Sequence, residues 1–147
     1  MIARAFWFLV WAALRAWAVF CPKDVITLSG DRYMTRYYLR GSPGGAGPSL
    51  RLQHIHRPDA MREFHDHPWF EAQSRILRGW YVERRFREYG RGRSSPPHTF
   101  TRNTGARSTL LNLPGARDRH RITAVAPDGA WTLFRTSERH GRGWGFQ

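Results

Sequence analysis

The feature that most limits what this chain can fold into is the spacing of its turn residues. From Pro22 onward, short β-prone stretches alternate with Gly, Pro, Asp and Asn. "DVITLSGDRYMTRYYLRG" (24–41) places β-branched and aromatic residues on both sides of a Gly-Asp turn, which predicts two strands. "GSPGGAGPS" (41–49) excludes both a helix and a central strand. The stretches "LRLQHIHR", "SRILRGWYVERRF", "HTFTR", "RSTLLNL", "HRITAV" and "WTLFRT" follow, with "GRGRSSPP" (90–97) and "PDG" (127–129) as further turns. About eight to ten such strands in one domain predict an all-β sandwich or barrel. Arginines at alternate positions, as at Arg119 and Arg121, suit strands with one wet face.

Before Pro22 the pattern is different. "MIARAFWFLVWAALRAWAVFC" (1–21) is the most apolar part of the chain, and residues 5–14 carry no charge. That run matches a signal-peptide core in length and is too short to span a bilayer. Arg15 follows it directly, however, and three tryptophans are bulky for a cleaved leader. A helix accounts for the arginines better, because Arg4 and Arg15 are close to three turns apart and share a narrow stripe. Residues 1–22 therefore read as an apolar helix that docks on the domain, on a second subunit (a homodimer) or on a membrane surface.

The 147 residues suffice for one domain, assigned to 23–147. One cysteine, Cys21, excludes a disulfide framework and a cysteine-based zinc finger, and suits a reducing cytoplasm. The formal charge is +13, and Lys23 is the only lysine. Such a surplus attracts anions, although genomic base composition can also enrich arginine.

The chain's chemistry-bearing side chains are its histidines. In "HDHPWFE" (65–71), His65 and His67 share a strand face if the strand is regular, and Glu71 has the same parity beyond Pro68. Imidazole with carboxylate suits one divalent metal, Fe, Zn, Mn or Ni, with a third nitrogen from a later strand. The same residues also fit a polar turn between strands. His54 and His56 form a second pair, either lining the same cavity or facing outward at a hairpin edge. His98 and His140 read as solvent-exposed. Asp66 reads as bonding turn amides, and Trp69, Phe70 and Trp80 read as core.

His65-x-His67-x-x-x-Glu71, with Pro68 and then Gly79, resembles the first motif of the cupin superfamily, with the glycine one residue later than in that pattern. "LPGARDRH" (113–120) resembles the second motif, which departs here in spacing and in lacking the asparagine that follows. The resemblance makes His120 the third histidine ligand. The order of "IHRPD", "HDHPW", "ILRGWYVE", "DRHRI", "WTLF" and "GWGF" is similar to small cupin-like proteins of bacteria and their phages, over residues 25–147. It implies a double-stranded β-helix, or jelly-roll barrel, with the helix outside it.

Two functions follow as expectations. One is a metal-dependent cupin enzyme of oxygenase or isomerase type, with metal on His65, His67 and His120, with or without Glu71. In it, Arg75, Arg119 and Arg121 would anchor a small anionic substrate. The other is a non-catalytic binding or assembly module, in which "RRFREYGRGR" (84–93) grips nucleic acid or a phage or protein partner.

Overall fold

The computed structural model of the protein describes residues 2–59 and 63–141, so the "GWGF" segment (143–146) lies outside the described residues. The chain opens with α1 (Ile2–Ala18), then β1 (Lys23–Leu28), β2 (Asp31–Arg40) and β3 (Ser49–Ile55). Next come β4 (Glu71–Arg78), β5 (Trp80–Tyr89), β6 (Arg93–Ser94) and β7 (His98–Asn103). The last three strands are β8 (Arg107–Leu113), β9 (Ala116–Val125) and β10 (Ala130–Thr136).

All the strand pairs are antiparallel, and the hydrogen-bonded order runs β1-β2-β3-β10-β4-β8-β9-β5-β6, with β7 on β5. The ladder between β8 and β9 is short, so the path folds there into two facing layers that do not close on each other. Met34, Ile55, Ile76 and Ala130 from the first layer pack against Tyr81 and Ile122 from the second. This is the expected jelly roll with an N-terminal helix. The first hairpin turns at Ser29 and Gly30, both with positive φ (52° and 82°), the geometry that matches the twist of paired strands.

Strand alternation sends one set of side chains inward and the other to the helix. On β3, Gln53 and Ile55 face the interior, while Leu52 joins Leu77 and Trp131 on the outer face. Trp7, Val10, Trp11, Leu14 and Ala18 of α1 cover that outer cluster. Their spacing of three and four residues is one stripe of an α-helix. Arginines interleave with the tryptophans: Arg78 lies 4.5 Å from the Trp11 ring centre and Arg75 5.1 Å from that of Trp7. Arg15 sits over Tyr37 and Trp131 at 5.3 and 5.5 Å. The opposite stripe of the helix, with Ile2, Phe6, Leu9 and Trp17, is exposed. Among the described residues no helix is long and apolar enough to cross a membrane. Trp69 is buried as expected, whereas Phe70 is half-buried and Trp80 is exposed.

The stretch "SRILRGWYVERRF" is two strands, not one. Gly79 (φ +81°) breaks it, and the chain crosses there from the first layer to the second. A Cβ at Gly79 would overlap the carbonyl oxygen of Gly129, so the two turns nest on each other's backbone. Gly79→Ala should therefore cost roughly 2 kcal/mol or more in urea denaturation, combining a left-handed backbone with a backbone clash. Gly115→Ala, at φ +83° but in open space, should cost only the left-handed penalty of about 1–2 kcal/mol.

Candidate metal centre

His65, His67 and His120 converge, and one ligand atom from each lies within 4.8 Å of the others. His120 is central to β9, whereas His65 and His67 belong to the connection leading into β4. Backbone pairing holds that connection in place: the His65 amide donates to the His120 carbonyl (3.0 Å) and the His120 amide donates back to His65 (2.9 Å). Further on, the Asn112 side chain and the His140 ring both bond the His67 carbonyl. His140 is thus half-buried against the loop, stacking edge-on with Phe70, and is not solvent-exposed. His98 is exposed.

The ring nitrogens have an order. His67 Nε2 and His120 Nε2 are 2.8 Å apart, close to the spacing of about 3 Å that two imidazoles take on one metal at bond lengths of about 2.0–2.1 Å. His120 Nδ1 faces Glu83 Oε1 at 2.9 Å, and His65 Nδ1 faces Asp59 Oδ2 at 3.3 Å. The Glu83 carboxylate bonded to His120 Nδ1 favours the proton there and leaves Nε2 as the donor atom toward the cluster, and Asp59 stands within ion-pair distance of His65. Burial, then the neighbouring His120 and Arg119, lowers the His65 pKa to about 3. Burial, with His120 and His65, drives His67 well below its ordinary value. Both rings are therefore neutral at pH 7, the protonation state a metal requires. The donor set fits a divalent ion.

Glu83, which the sequence reading did not single out, is the carboxylate of this site. It is 1% exposed, yet accepts from Ser108 (2.9 Å) and Arg102 Nε (3.1 Å) as well as facing His120. Burial by itself pushes its carboxyl up, but the His120 contact, Ser108 and Arg102 outweigh it and hold the pKa at about 2. The only local clue was parity, because Glu83 lies two residues from Tyr81 on one face of β5.

The structure does not bring Glu71 into the cluster. β4 begins at Glu71, and its neighbour Ala72 faces inward, so Glu71 points outward to Arg135 (3.2 Å). The bend after Pro68 resets the parity that seemed to align Glu71 with the histidines. Asp66 is buried, 3.9 Å from Arg117.

The triad opens on a cavity of about 350 Å³. Its walls are mostly apolar, including Ile26, Met34, Ile55, Leu110, Ile122 and Phe134. Tyr33 and Tyr81 also line it, and burial raises both phenols, so each is a protonated donor. His54 and His56 are not on this wall. His54 stacks on Trp131 (4.1 Å, 12° between planes) and bonds the Asp128 carbonyl; His56 bonds Thr35 Oγ1 at 2.8 Å. Arg75, Arg119 and Arg121 are not there either. Arg75 bonds the Gly105 carbonyl beneath Trp7, Arg119 pairs with Glu88 at 2.6 Å, and Arg121 lies over Phe64. On β9 the last two alternate with the inward-facing His120, so strand geometry turns them away. Among the described residues, the arginine that lines the cavity is Arg36.

No protein-family model matches the chain, and no curated protein resembles it in sequence. Solved structures do resemble it in fold. HppE in its Fe(II) form superposes with a TM-score of 0.53 at 13% identity, over 80% of this chain and 56% of that one. The capsular polysaccharide assembling protein CapF of Staphylococcus aureus gives 0.54 at 13%, over 85% and 31%. Oxalate decarboxylase of Bacillus subtilis, with Mn(II) centres, gives 0.50 at 18%, over 84% and 29%. This chain thus spans a little over half the length of HppE and about a third or less of the other two. The likeness to these three proteins is one of fold, the jelly roll that the resemblance to cupins implies.

Two outcomes test this geometry. In the unfolded chain the His65 imidazole takes a proton near 6.5, but in the fold not until about 3. Between those values the unfolded state binds more protons, so stability falls as pH drops below about 6.5. Urea midpoints of metal-free protein should be lower at pH 5.5 than at pH 7.5, and equal midpoints would contradict the burial of neutral rings. Glu83→Ala, which strands Arg102 and frees the His120 ring, should cost about 3–5 kcal/mol in the same assay.

Proposed function

We propose that the chain is a metal-dependent enzyme of oxygenase or isomerase type, acting on a small anionic substrate inside the barrel. The observation that carries this reading is the convergence of three imidazoles, two beside carboxylates, on a mainly apolar cavity. His65, His67 and His120 would hold one divalent ion, and Fe(II) and Mn(II) in the cupin-fold proteins above support a metal of that kind. Such an ion supplies Lewis acidity or oxygen activation at the coordination positions the three rings leave open.

The chain's own residues supply the rest. Glu83 keeps the ring of His120 oriented and backbone pairing with His120 places His65, so the ligand set is assembled before any ion arrives. Tyr33 and Tyr81 offer hydroxyl protons to a substrate oxygen. The mainly aliphatic wall lowers the local dielectric, which strengthens polar contacts made against it. The arginine-rich segment 84–93, on which a nucleic-acid module would depend, has part of its charge committed: Arg85 and Arg87 both pair with the buried Asp118, at 3.0 and 2.8 Å. That balance favours the enzyme reading over a binding module.

Protein purified without a histidine tag should carry close to one divalent ion per chain by elemental analysis. His67→Ala and His120→Ala should each abolish loading, and metal-free protein after expression in supplemented medium would refute the reading. Glu71→Gln should leave metal content unchanged, because that carboxylate faces outward. Glu83→Gln should weaken metal affinity by about 10–100-fold, the usual cost of losing a carboxylate behind a ligand histidine.

A further inference from the structure

The charged groups on the cavity wall are not equally committed. Glu83 is held by Arg102, Ser108 and His120, and Asp59 stands against His65. Arg36 is different: it makes no ion pair with any described residue, and its Nε is buried without a hydrogen-bond partner. Arg102 and Arg119 are answered by Glu83 and Glu88, and the buried Arg51 by the Ser49 hydroxyl and the faces of Tyr38 and Trp69. A half-buried guanidinium with an unbonded nitrogen beside an aliphatic wall is stabilised by an anion that reaches it.

Arg36 lies on β2 and is directly paired in register with Gln53 on β3, and both side chains line the cavity. A planar fork of donors with an amide beside it matches a planar, two-oxygen acceptor. One unpaired arginine neutralises one negative charge. The same cavity is lined by Ile26, Leu28, Met34, Ile55 and Phe134, which suit a hydrocarbon body and disfavour a polyhydroxylated or multiply charged one.

We propose that the ligand of this chamber is an apolar monocarboxylic acid, its carboxylate held by Arg36 and its hydrocarbon body lying against the aliphatic wall, facing the His65–His67–His120 cluster. The assignment rests on the reading of the barrel as the substrate chamber and replaces Arg75, Arg119 and Arg121 as the anion anchor.

Benzoate, benzyl alcohol and phenylphosphonate serve as probes, titrated calorimetrically into full-length protein whose metal content is measured in parallel. Wild type should bind benzoate at least about tenfold more tightly than benzyl alcohol, because a charge-assisted bond to a buried partner is worth about 1.5–3 kcal/mol, or roughly 10- to 100-fold. Arg36→Gln should remove that preference and leave benzyl alcohol binding unchanged. Equal affinity for acid and alcohol in wild type overturns the proposal without recourse to any variant. So does benzoate binding that Arg36→Gln does not weaken. Tighter binding of phenylphosphonate than of benzoate would overturn the restriction to a monocarboxylate. His67→Ala separates the two readings: it should lose metal but keep the Arg36-dependent preference. Metal-free wild type with that preference intact would refute the metal enzyme and sustain the acid site, whereas loaded protein without it would do the reverse.

Discussion

The buried carboxylate of Glu83 is the contact on which the working half of this protein depends. A charge at 1% exposure is tolerable only if it is surrounded by donors, and those donors come from three different strands: Arg102 on β7, Ser108 on β8 and His120 on β9. Satisfying one anion therefore sets the position of β7, β8 and β9 relative to β5. The same contact fixes which nitrogen of His120 carries the proton. Stability of the second layer and readiness of the candidate metal centre are two consequences of a single desolvated charge.

The division of the fold into an inner chamber and a helix-covered outer face follows from strand alternation combined with one sharp crossing. Gly79 passes the chain from the first layer to the second, in a conformation and a space that a side chain would not tolerate. Inward residues of both layers then meet around the cavity, while Leu52, Leu77 and Trp131 present a second apolar surface outward. α1 covers that surface with its stripe from Trp7 to Ala18, and Arg15, Arg75 and Arg78 lay their guanidinium groups over the aromatic rings. Part of the arginine excess is thus packing material, and part neutralises Asp118, Glu83 and Glu88. Net charge alone is a poor guide to what such a protein binds.

The histidine cluster was legible because its members sit where local pattern and distant pairing agree. His65 and His67 mark themselves by their spacing, and His120 by the resemblance of "LPGARDRH" to the second cupin motif. Glu71 was misplaced for a definable reason: parity counting assumes a continuous strand, and Pro68 together with the Trp69–Phe70 bend interrupts it before β4 begins. Arg119 and Arg121 flank His120 in sequence, yet adjacency on a strand means opposite faces. Arg36 and Glu83 carried no motif. Their importance comes from what faces them across the barrel, which no local reading of β2 or β5 contains.

What the sequence by itself determined is the sum of its local rules: short strands from alternating β-branched and aromatic residues, turns at glycine and proline, an apolar helix ended before Pro22, and a histidine set of the right chemical type. Tertiary structure alone decided which carboxylate backs a ligand, which arginine enters the chamber and which face of α1 is covered. The physical reason is that backbone preference acts over a few residues, whereas burial, charge pairing and pKa depend on groups brought together from strands far apart in the chain.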